Sequence, residues 1–595
     1  MSQYNLNKPA GHEEKVSTWG ALKKLLSLMS HERPRLIAAF TAIMVNSGLN
    51  LVGPLLASIV IDKYIVAEVP DFQMVLRYAL IFLSMYFVAL GTGYFQTRLM
   101  AGFGQRMLFT LRNSIFAKLQ ELPVAFFNQN KAGDLISRVN NDTDKLNQFF
   151  SQSLMQFLSS IFIMAGAAIF MLCINFRLGA ATLAPALLLY VFTRAISPWV
   201  KRRNAISMNK VGGMSAEIQE SLNNFKVIIA FNRRDYFRKK FEEANQENYH
   251  TAVDAGIANN LFTPVYGLCS GMGQLAVLLY GIYLIEHSHG AFKIGQLIAY
   301  LAYAVNFYNP LRQLAALWAN FQVALAGWDR ISAILNLQTN LTILTPAPAM
   351  AVAPEPSSVI AFRNVHFSYP DGKEVLHNIS FDLEKGKTYA FIGPTGGGKT
   401  TTANLIGRLY DPTSGSVWLN GKDIRTYQPE ERTQKIGVIL QEPLLFSGTV
   451  KDNILYGNAQ YAGYTNEQLA AALHNANLDG LLARFDAGLE TPVSTGGETI
   501  SLGQKQLIAF MRAVLRNPDI LILDEATANI DTVTEQLLEE ILRKLPATTT
   551  RVIIAHRLNT IESADEIFFV NSGEVVRAGS LEDAVGLLLQ GRRVS

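Results

Sequence analysis

Polar and apolar positions are distributed very unevenly along the chain. Six stretches hold no Asp, Glu, Lys or Arg: 36–61, 78–97, 146–176, 178–193, 255–285 and 294–311. Their lengths are 26, 20, 31, 16, 31 and 18 residues. A helix needs about 20 mostly apolar residues to cross the hydrocarbon core of a bilayer. The fourth stretch is short but resumes past Arg194 through Ala195–Val200. Six membrane-spanning helices are predicted, because soluble helices rarely sustain apolar runs of this length.

The loops between them set an orientation. Residues 1–35, 98–145 and 194–254 carry six, seven and eleven Lys or Arg, whereas the alternate loops carry only Lys63, Arg77, Arg177 and Lys293. Basic loops stay cytoplasmic, so the N-terminus is expected inside and six spans return the chain there. Both long basic loops show helical periodicity, for example Met107–Leu122. They read as extensions of the membrane helices. In Trp19–Met29, apolar residues at helical spacing beside Lys23 and Lys24 suit an interfacial helix ahead of the first span. No small-residue cleavage site marks a signal peptide.

Composition and charge add limits. The 595 residues are 49% hydrophobic and 17% charged, below the usual ~25%. Excluding the six stretches restores an ordinary charge content, so the low average mixes a charge-free membrane bundle with a cytoplasmic part. A net charge of +4 gives no argument for nucleic acid. Two cysteines, Cys173 and Cys269, cannot build a disulfide framework and read as packing residues. His287 and His289 in EHSHG fall in a short outside loop and read as a solvated turn rather than a metal pair.

Pro346, Pro348, Pro354 and Pro356 mark a linker within 331–357. It divides an expected cytoplasmic segment (1–35) and membrane domain (36–330) from a second domain (358–595). There, short β-branched or aromatic runs alternate with helical patterns: Val359–Phe367, Thr388–Ile392, Val438–Leu440, Ile520–Leu523 and Val552–Ala555. The prediction is an α/β domain with a mostly parallel sheet.

Candidate chemistry lies at the ends of these strands. Thr388–Ile392 runs into Gly393, Pro394, Thr395, Gly396, Gly397, Gly398, Lys399 and Thr400, followed at Thr401 by a helical pattern. This is GxxxxGK[ST] between a strand and a helix: backbone amides cradle phosphates, Lys399 reaches the β and γ phosphates, and Thr400 ligates Mg²⁺. Ile520–Leu523 delivers Asp524 and Glu525, the first suited to the Mg²⁺ side and the second to polarising a water as general base. His556 follows the strand Val552–Ala555, and Gln441 follows Val438–Leu440. Either is suited to orienting that water, Gln441 by bridging to Mg²⁺.

Taken in order, these pieces resemble the nucleotide-binding domain of ABC transporters. Tyr369 in VHFSY resembles the adenine-stacking aromatic, GPTGGGKT the Walker A loop, VILQ the Q-loop, ILILDE Walker B, ANID ending at Asp531 the D-loop, and IIAHR the switch histidine. ISLGQ at 500–504 resembles the signature motif, with Leu502 where a glycine is usual. Upstream, TPVSTGGE has Thr495 where a glutamate is common. The first half resembles the six-helix exporter membrane domain through FFNQNKAGDLISRVNNDTDKL at 126–146 and Gly295 to Leu314.

The resemblance implies half a transporter, completed by a second subunit. A homodimer is the first expectation and a heterodimer the alternative. ATP with Mg²⁺ would lie between Walker A of one chain and Ser501, Gly503 and Gln504 of the other. Coupling helices are expected at the loop tips, near 138–146 and 212–225. The expected activity is ATP-driven export of amphipathic small molecules from a bacterial cytoplasmic membrane, by alternating access. A lipid or glycolipid flippase and a peptide or siderophore transporter are the alternatives. Asn46, Asn50, Gln274, Tyr300, Asn306 and Tyr308 are candidates to line a cargo path or, equally, to bond helix to helix.

Overall fold

A computed structural model describes residues 4–6, 32–66, 69–287, 292–339, 341–344, 358–370, 372–494, 500–524, 532–554, 561, 564–579, 582–583 and 586. The Trp19–Met29 segment, His289, most of the Pro-rich linker and Thr495 lie outside them. Two compact units are present. One comprises residues 10–118 and 133–335, and the other 1–9, 119–132 and 336–595.

The first unit is helical. Among the described residues, five helical runs are long and apolar enough to cross a membrane: Arg33–Ile65, Phe72–Glu121, Ala132–Ile174, Phe176–Asn223 and Arg234–His287. The Phe72–Glu121 helix has 50 residues, about 75 Å at 1.5 Å per residue and far more than a ~30 Å hydrocarbon core requires. The sixth expected span lies in one helix, Ile294–Leu335, and is less apolar than the five. Gln296, Tyr300, Tyr303, Asn306, Tyr308 and Asn309 dilute it.

That helix carries the polar groups of the core. Tyr300, Tyr303 and Tyr308 are buried. The Tyr303 hydroxyl donates to Leu51 O (2.8 Å), Tyr308 to Thr182 O (2.8 Å), and Tyr300 to Asn175 O (2.9 Å) and Met171 O. Leu51 and Thr182 stand three residues before Pro54 and Pro185, both inside helices. A proline removes the amide donor of the carbonyl four residues back, Asn50 and Ala181 here, and the hydroxyls bond the carbonyls one residue further on. Asn46 Nδ2 likewise donates to Ala89 O (3.0 Å), and Asn50 to Asn46 O (3.0 Å). Most of the polar span residues singled out above are therefore engaged in bonds within and between helices. Cys269 packs in the core, but Cys173 is exposed on its helix.

The two chain reversals fall elsewhere than 138–146 and 212–225. Residues 138–148 are π- and α-helical turns leading into Leu154–Ile174, and 212–223 completes a 48-residue helix. The short helices at the turns are Val124–Gln129 and Phe225–Ala230. Pro123 stops the first long helix. At the second turn Asn232 adopts φ +49°, and Asn232 and Arg233 amides close back on Ile229 O and Ile228 O.

The second unit is α/β. Its strands are β1 (Ser358–Ser368), β2 (Glu374–Glu384), β3 (Thr388–Ile392), β4 (Ser414–Leu419), β5 (Lys422–Asp423), β6 (Ile436–Ile439), β7 (Gly448–Thr449), β8 (Pro492–Val493), β9 (Ile520–Asp524), β10 (Thr550–Ile554), β11 (Glu566–Asn571) and β12 (Glu574–Arg577). The central sheet runs β12-β11-β3-β10-β9-β6, parallel except for β12. Antiparallel β2-β1-β4-β5 forms a second sheet, which the sequence pattern does not reveal. β3 and β9 are buried at every position, as expected of central parallel strands.

Candidate nucleotide site

The parallel sheet brings separated segments to one edge. β10 lies between β3 and β9, with Ile554 registered against both Phe391 and Asp524. On the far side of β9, Ile439 of β6 pairs with Leu523. Neighbouring parallel strands on either side of β10 therefore end just before Gly393 and at Asp524, and β6 beyond β9 ends just before Gln441. In open α/β sheets, ligands bind outside this carboxyl edge.

The loop after β3 is shaped by its glycines. Gly393 has φ +142°, and a Cβ there would lie 2.0 Å from Val570 O. A Cβ on Gly397 would lie 2.5 Å from the same oxygen. The loop thus packs against the end of β11 as bare backbone. Gly396 has φ +82° but open space around it, so it is needed for backbone conformation alone. Pro394, Thr395 and Gly396 are exposed, and the helix Lys399–Ile406 begins directly after Gly398. Thr400 at its start is exposed, and a helix N-terminus of this kind suits an anionic phosphate. Lys399 is buried, and its ammonium donates to Gly393 O (2.9 Å) and Pro394 O (3.1 Å). The loop is folded around its own cation.

Tyr369 lies beside this helix. Its hydroxyl and Thr401 Oγ1 are 3.1 Å apart. Its ring meets Tyr410 edge-on at 5.3 Å and Phe367 at 4.9 Å. Tyr410 in turn accepts a hydrogen bond from Asn128 Nδ2 (2.8 Å), at the end of the Val124–Gln129 helix. Burial pushes the Tyr410 phenol above its ordinary pKa, and the Asn128 bond opposes that shift. Neither Tyr410 nor Asn128 is legible as a site residue in the sequence, since 282 positions separate them.

Asp524 is buried at the end of β9 and Gln441 is exposed beyond β6. Glu525, Asp531 and His556 lie outside the described residues. The segment after Gln441 is held by Asn453, which is 1% exposed. Its side chain accepts from Phe446 N (2.9 Å) and donates to Phe446 O (2.8 Å) and Thr449 O (3.0 Å). Arg512 reaches the same group, donating to Asn453 O (2.8 Å), Asn453 Oδ1 (3.1 Å) and Leu444 O (3.2 Å). Sequence reading missed both residues.

Arg512 sits on the helix Leu502–Val514, whose N-cap is Ser501. Ser501 and Gln504 form a reciprocal capping box: Gln504 N donates to Ser501 Oγ (3.1 Å) and Ser501 N to Gln504 Oε1 (3.0 Å). Leu502 is 40% exposed at the first helical position, so its side chain blocks nothing within the chain. Gly503 follows, half-buried.

Comparison with known proteins fits both halves. The family described as "ABC transporter transmembrane region" matches residues 36–311, and that described as "ABC transporter" matches residues 376–528. An ATP-dependent lipid A-core flippase of Syntrophus aciditrophicus is 30% identical over 572 residues, covering 94% of this chain and 91% of that protein. A multidrug resistance ABC transporter ATP-binding and permease protein of Lactococcus lactis is 30% identical over 485 residues, covering 81% and 80%. The solved structure of a bacterial Atm1-family ABC exporter with ATP bound superposes with a TM-score of 0.76 at 25% identity, covering 94% of this chain and 96% of that one. The chain is a member of the ABC transporter family, a multi-pass membrane exporter half with an ATPase coupled to transport and an architecture that implies dimerisation.

Proposed function

We propose that residues 36–330 form the transport domain and 358–595 the ATPase of a homodimeric exporter in a bacterial cytoplasmic membrane. The observation that carries the ATPase reading is the convergence of the glycine loop, Asp524 and Gln441 on one edge of the parallel sheet. ATP binds with its phosphates on the amides of 393–401 and Lys399, and its adenine on Tyr369. Ser501, Gly503 and Gln504 of the second subunit close the far side, and Asp531 lies at the contact between the two ATPases. Glu525 polarises the attacking water, and His556 and Gln441 orient it.

Magnesium fits the donors. Asp524, Thr400 and Gln441 offer a carboxylate, a hydroxyl and an amide oxygen, the hard set this ion prefers. Bound with ATP, it would neutralise charge developing on the transferred phosphoryl group.

The cargo is an amphipathic small molecule carried through the membrane as ATP cycles. The span tyrosines are spent on helix contacts, so cargo recognition rests on apolar surface rather than on an array of polar groups. A membrane lipid is the second reading, supported by the flippase relative that this chain matches nearly end to end.

Glu525→Gln tests the enzymology. The purified full chain in lipid nanodiscs should retain ATP binding and lose at least about 100-fold in turnover, since general base catalysis typically supplies 10²–10⁴. Unchanged turnover would remove Glu525 from its role. Stimulation of the wild-type ATPase by a panel of dyes and phospholipids then separates the two cargo readings.

A further inference from the structure

The described N-terminal residues Tyr4–Leu6 fold onto the nucleotide-binding unit, and nothing in the exporter reading accounts for them. Tyr4 is 1% exposed. Its ring meets Phe126 edge-on, with centroids 6.3 Å apart at 90°. Its hydroxyl donates to Gln338 O (3.1 Å), just past the end of the Ile294–Leu335 helix. Asn130, also buried, bonds the backbone of the same segment. Asn130 Nδ2 donates to Tyr4 O (2.9 Å) and Phe126 O (2.8 Å), while Asn130 Oδ1 accepts from Leu6 N (3.1 Å).

Apart from Gln338, these partners bear on one element. Phe126 lies in the Val124–Gln129 helix, and Asn130 is its C-terminal flank. Six residues cannot hold a helix by backbone bonding alone. The same helix offers Asn128 to Tyr410, whose ring meets Tyr369 edge-on, and Tyr369 reaches Thr401 on the phosphate-loop helix. An unbroken series of packed rings and hydrogen bonds therefore runs from Tyr4 to the nucleotide platform.

We infer that Tyr4 is a positioning residue for nucleotide binding, acting through the Val124–Gln129 helix, Asn128 and Tyr410 on Tyr369. The inference rests on the reading of Tyr369 as the adenine platform. Tyr4 fixes the short helix, the helix presents Asn128, and Asn128 sets the Tyr410 ring on which Tyr369 leans. Loss of Tyr4 frees the helix and loosens the platform without touching the groups that hydrolyse ATP. Its signature is weaker ATP affinity at preserved turnover.

The test uses the full chain in lipid nanodiscs, with steady-state ATPase kinetics and hydrogen–deuterium exchange. Tyr369→Ala is the control and should raise KM for ATP about tenfold, the scale of one lost stacking contact. Tyr4→Ala and Asn128→Ala should each raise KM about threefold with kcat within about twofold, as expected for one modest interaction. The Tyr4→Ala/Asn128→Ala double variant should match Asn128→Ala alone, because both act along one path. Tyr4→Phe keeps the ring against Phe126 and should stay within about twofold of wild type. Exchange across residues 122–131 should quicken in Tyr4→Ala. The inference is overturned by unchanged KM in Tyr4→Ala, by single effects that multiply in the double variant, by kcat falling while KM holds, or by Tyr4→Phe as impaired as Tyr4→Ala. If Tyr369→Ala itself leaves KM unchanged, the platform reading fails first and takes this inference with it.

Discussion

Asn453 gives the strongest single-residue prediction for the ATPase unit. Replacing it by alanine deletes one side chain but strands several partners. Phe446 N and O, Thr449 O and one Arg512 nitrogen all lose a bond. A neutral hydrogen bond contributes about 1 kcal/mol net and one to a charged group about 1.5–3 kcal/mol. Summed without relaxation, the loss is about 4–6 kcal/mol. Two features reduce it. Arg512 keeps its bonds to Asn453 O and Leu444 O, and Phe446 and Thr449 lie close enough to the surface for water to replace part of what is lost. About 2–4 kcal/mol should remain. For a unit of roughly 250 residues, each kcal/mol moves the midpoint about 2–4 °C, so the transition should fall by about 4–16 °C. The assay is heat inactivation of fluorescent ATP binding by the full chain in nanodiscs. Asn453→Asp is the companion variant: it keeps an acceptor for Phe446 N but sets a carboxylate oxygen against Phe446 O and Thr449 O where Nδ2 donates, so it too should fall despite the charge offered to Arg512. A midpoint for Asn453→Ala within about 2 °C of wild type would refute the bonding scheme.

Other consequences follow from the same geometry. Gly397→Ala places a methyl group 2.5 Å from Val570 O and must displace the loop, so ATP affinity should fall at least tenfold in equilibrium binding while Gly463→Ala, with open space around its Cβ and no left-handed backbone, leaves affinity unchanged. Tyr303→Phe removes one hydroxyl bonded between helices at membrane depth and should cost about 0.6 kcal/mol, read from unfolding in mixed micelles, with cargo-stimulated ATPase activity unchanged. The imidazole of His366, bonded to Glu374 at 2.7 Å, holds that carboxyl below its ordinary pKa. The stability this pair supplies should be complete above the unfolded carboxyl pKa of about 4.3 and be lost as pH falls through the lower folded value. His366→Gln should flatten that part of the pH–stability curve, and high salt should do the same.

What the sequence reveals depends on how far the determining interaction reaches. β3 is legible to the residue, because a continuous apolar run is bounded by Lys387 and Gly393 and buried on both faces. β1 is legible too, but its partner β2 is not. Asn378 adopts φ +48° opposite Asn364 at φ +47°, and the two are bonded at 3.1 Å. This double irregularity shifts the register and breaks the alternation that would mark β2 as a strand. The loop tips are legible in principle, since Pro123 and Asn232 are stop signals; the expectation near 138–146 falls downstream of the first turn and that near 212–225 falls short of the second. The phosphate loop is visible because its chemistry is contiguous. The Asn128–Tyr410 and Asn453–Arg512 pairs are hidden because each joins segments whose own patterns carry no trace of the other.

The membrane half shows why polar residues are poor guides to cargo. A charge-free span containing Tyr300, Tyr303 and Tyr308 invites the reading of a polar lining, yet these hydroxyls are directed at backbone carbonyls of other helices. The reason is energetic. A hydroxyl left unpaired at membrane depth would be without water, and donating to a backbone carbonyl of another helix removes that penalty. The tyrosine hydroxyls thus serve contacts between helices. On the proposed reading, cargo discrimination rests on the remaining apolar surface, whose contacts are non-directional and tolerate variation in ligand shape. That predicts a broad, hydrophobicity-ranked stimulation profile. A single cargo recognised through one tyrosine hydroxyl would contradict it, and the Tyr303→Phe and Tyr308→Phe chains, measured against a graded dye series, decide between the two.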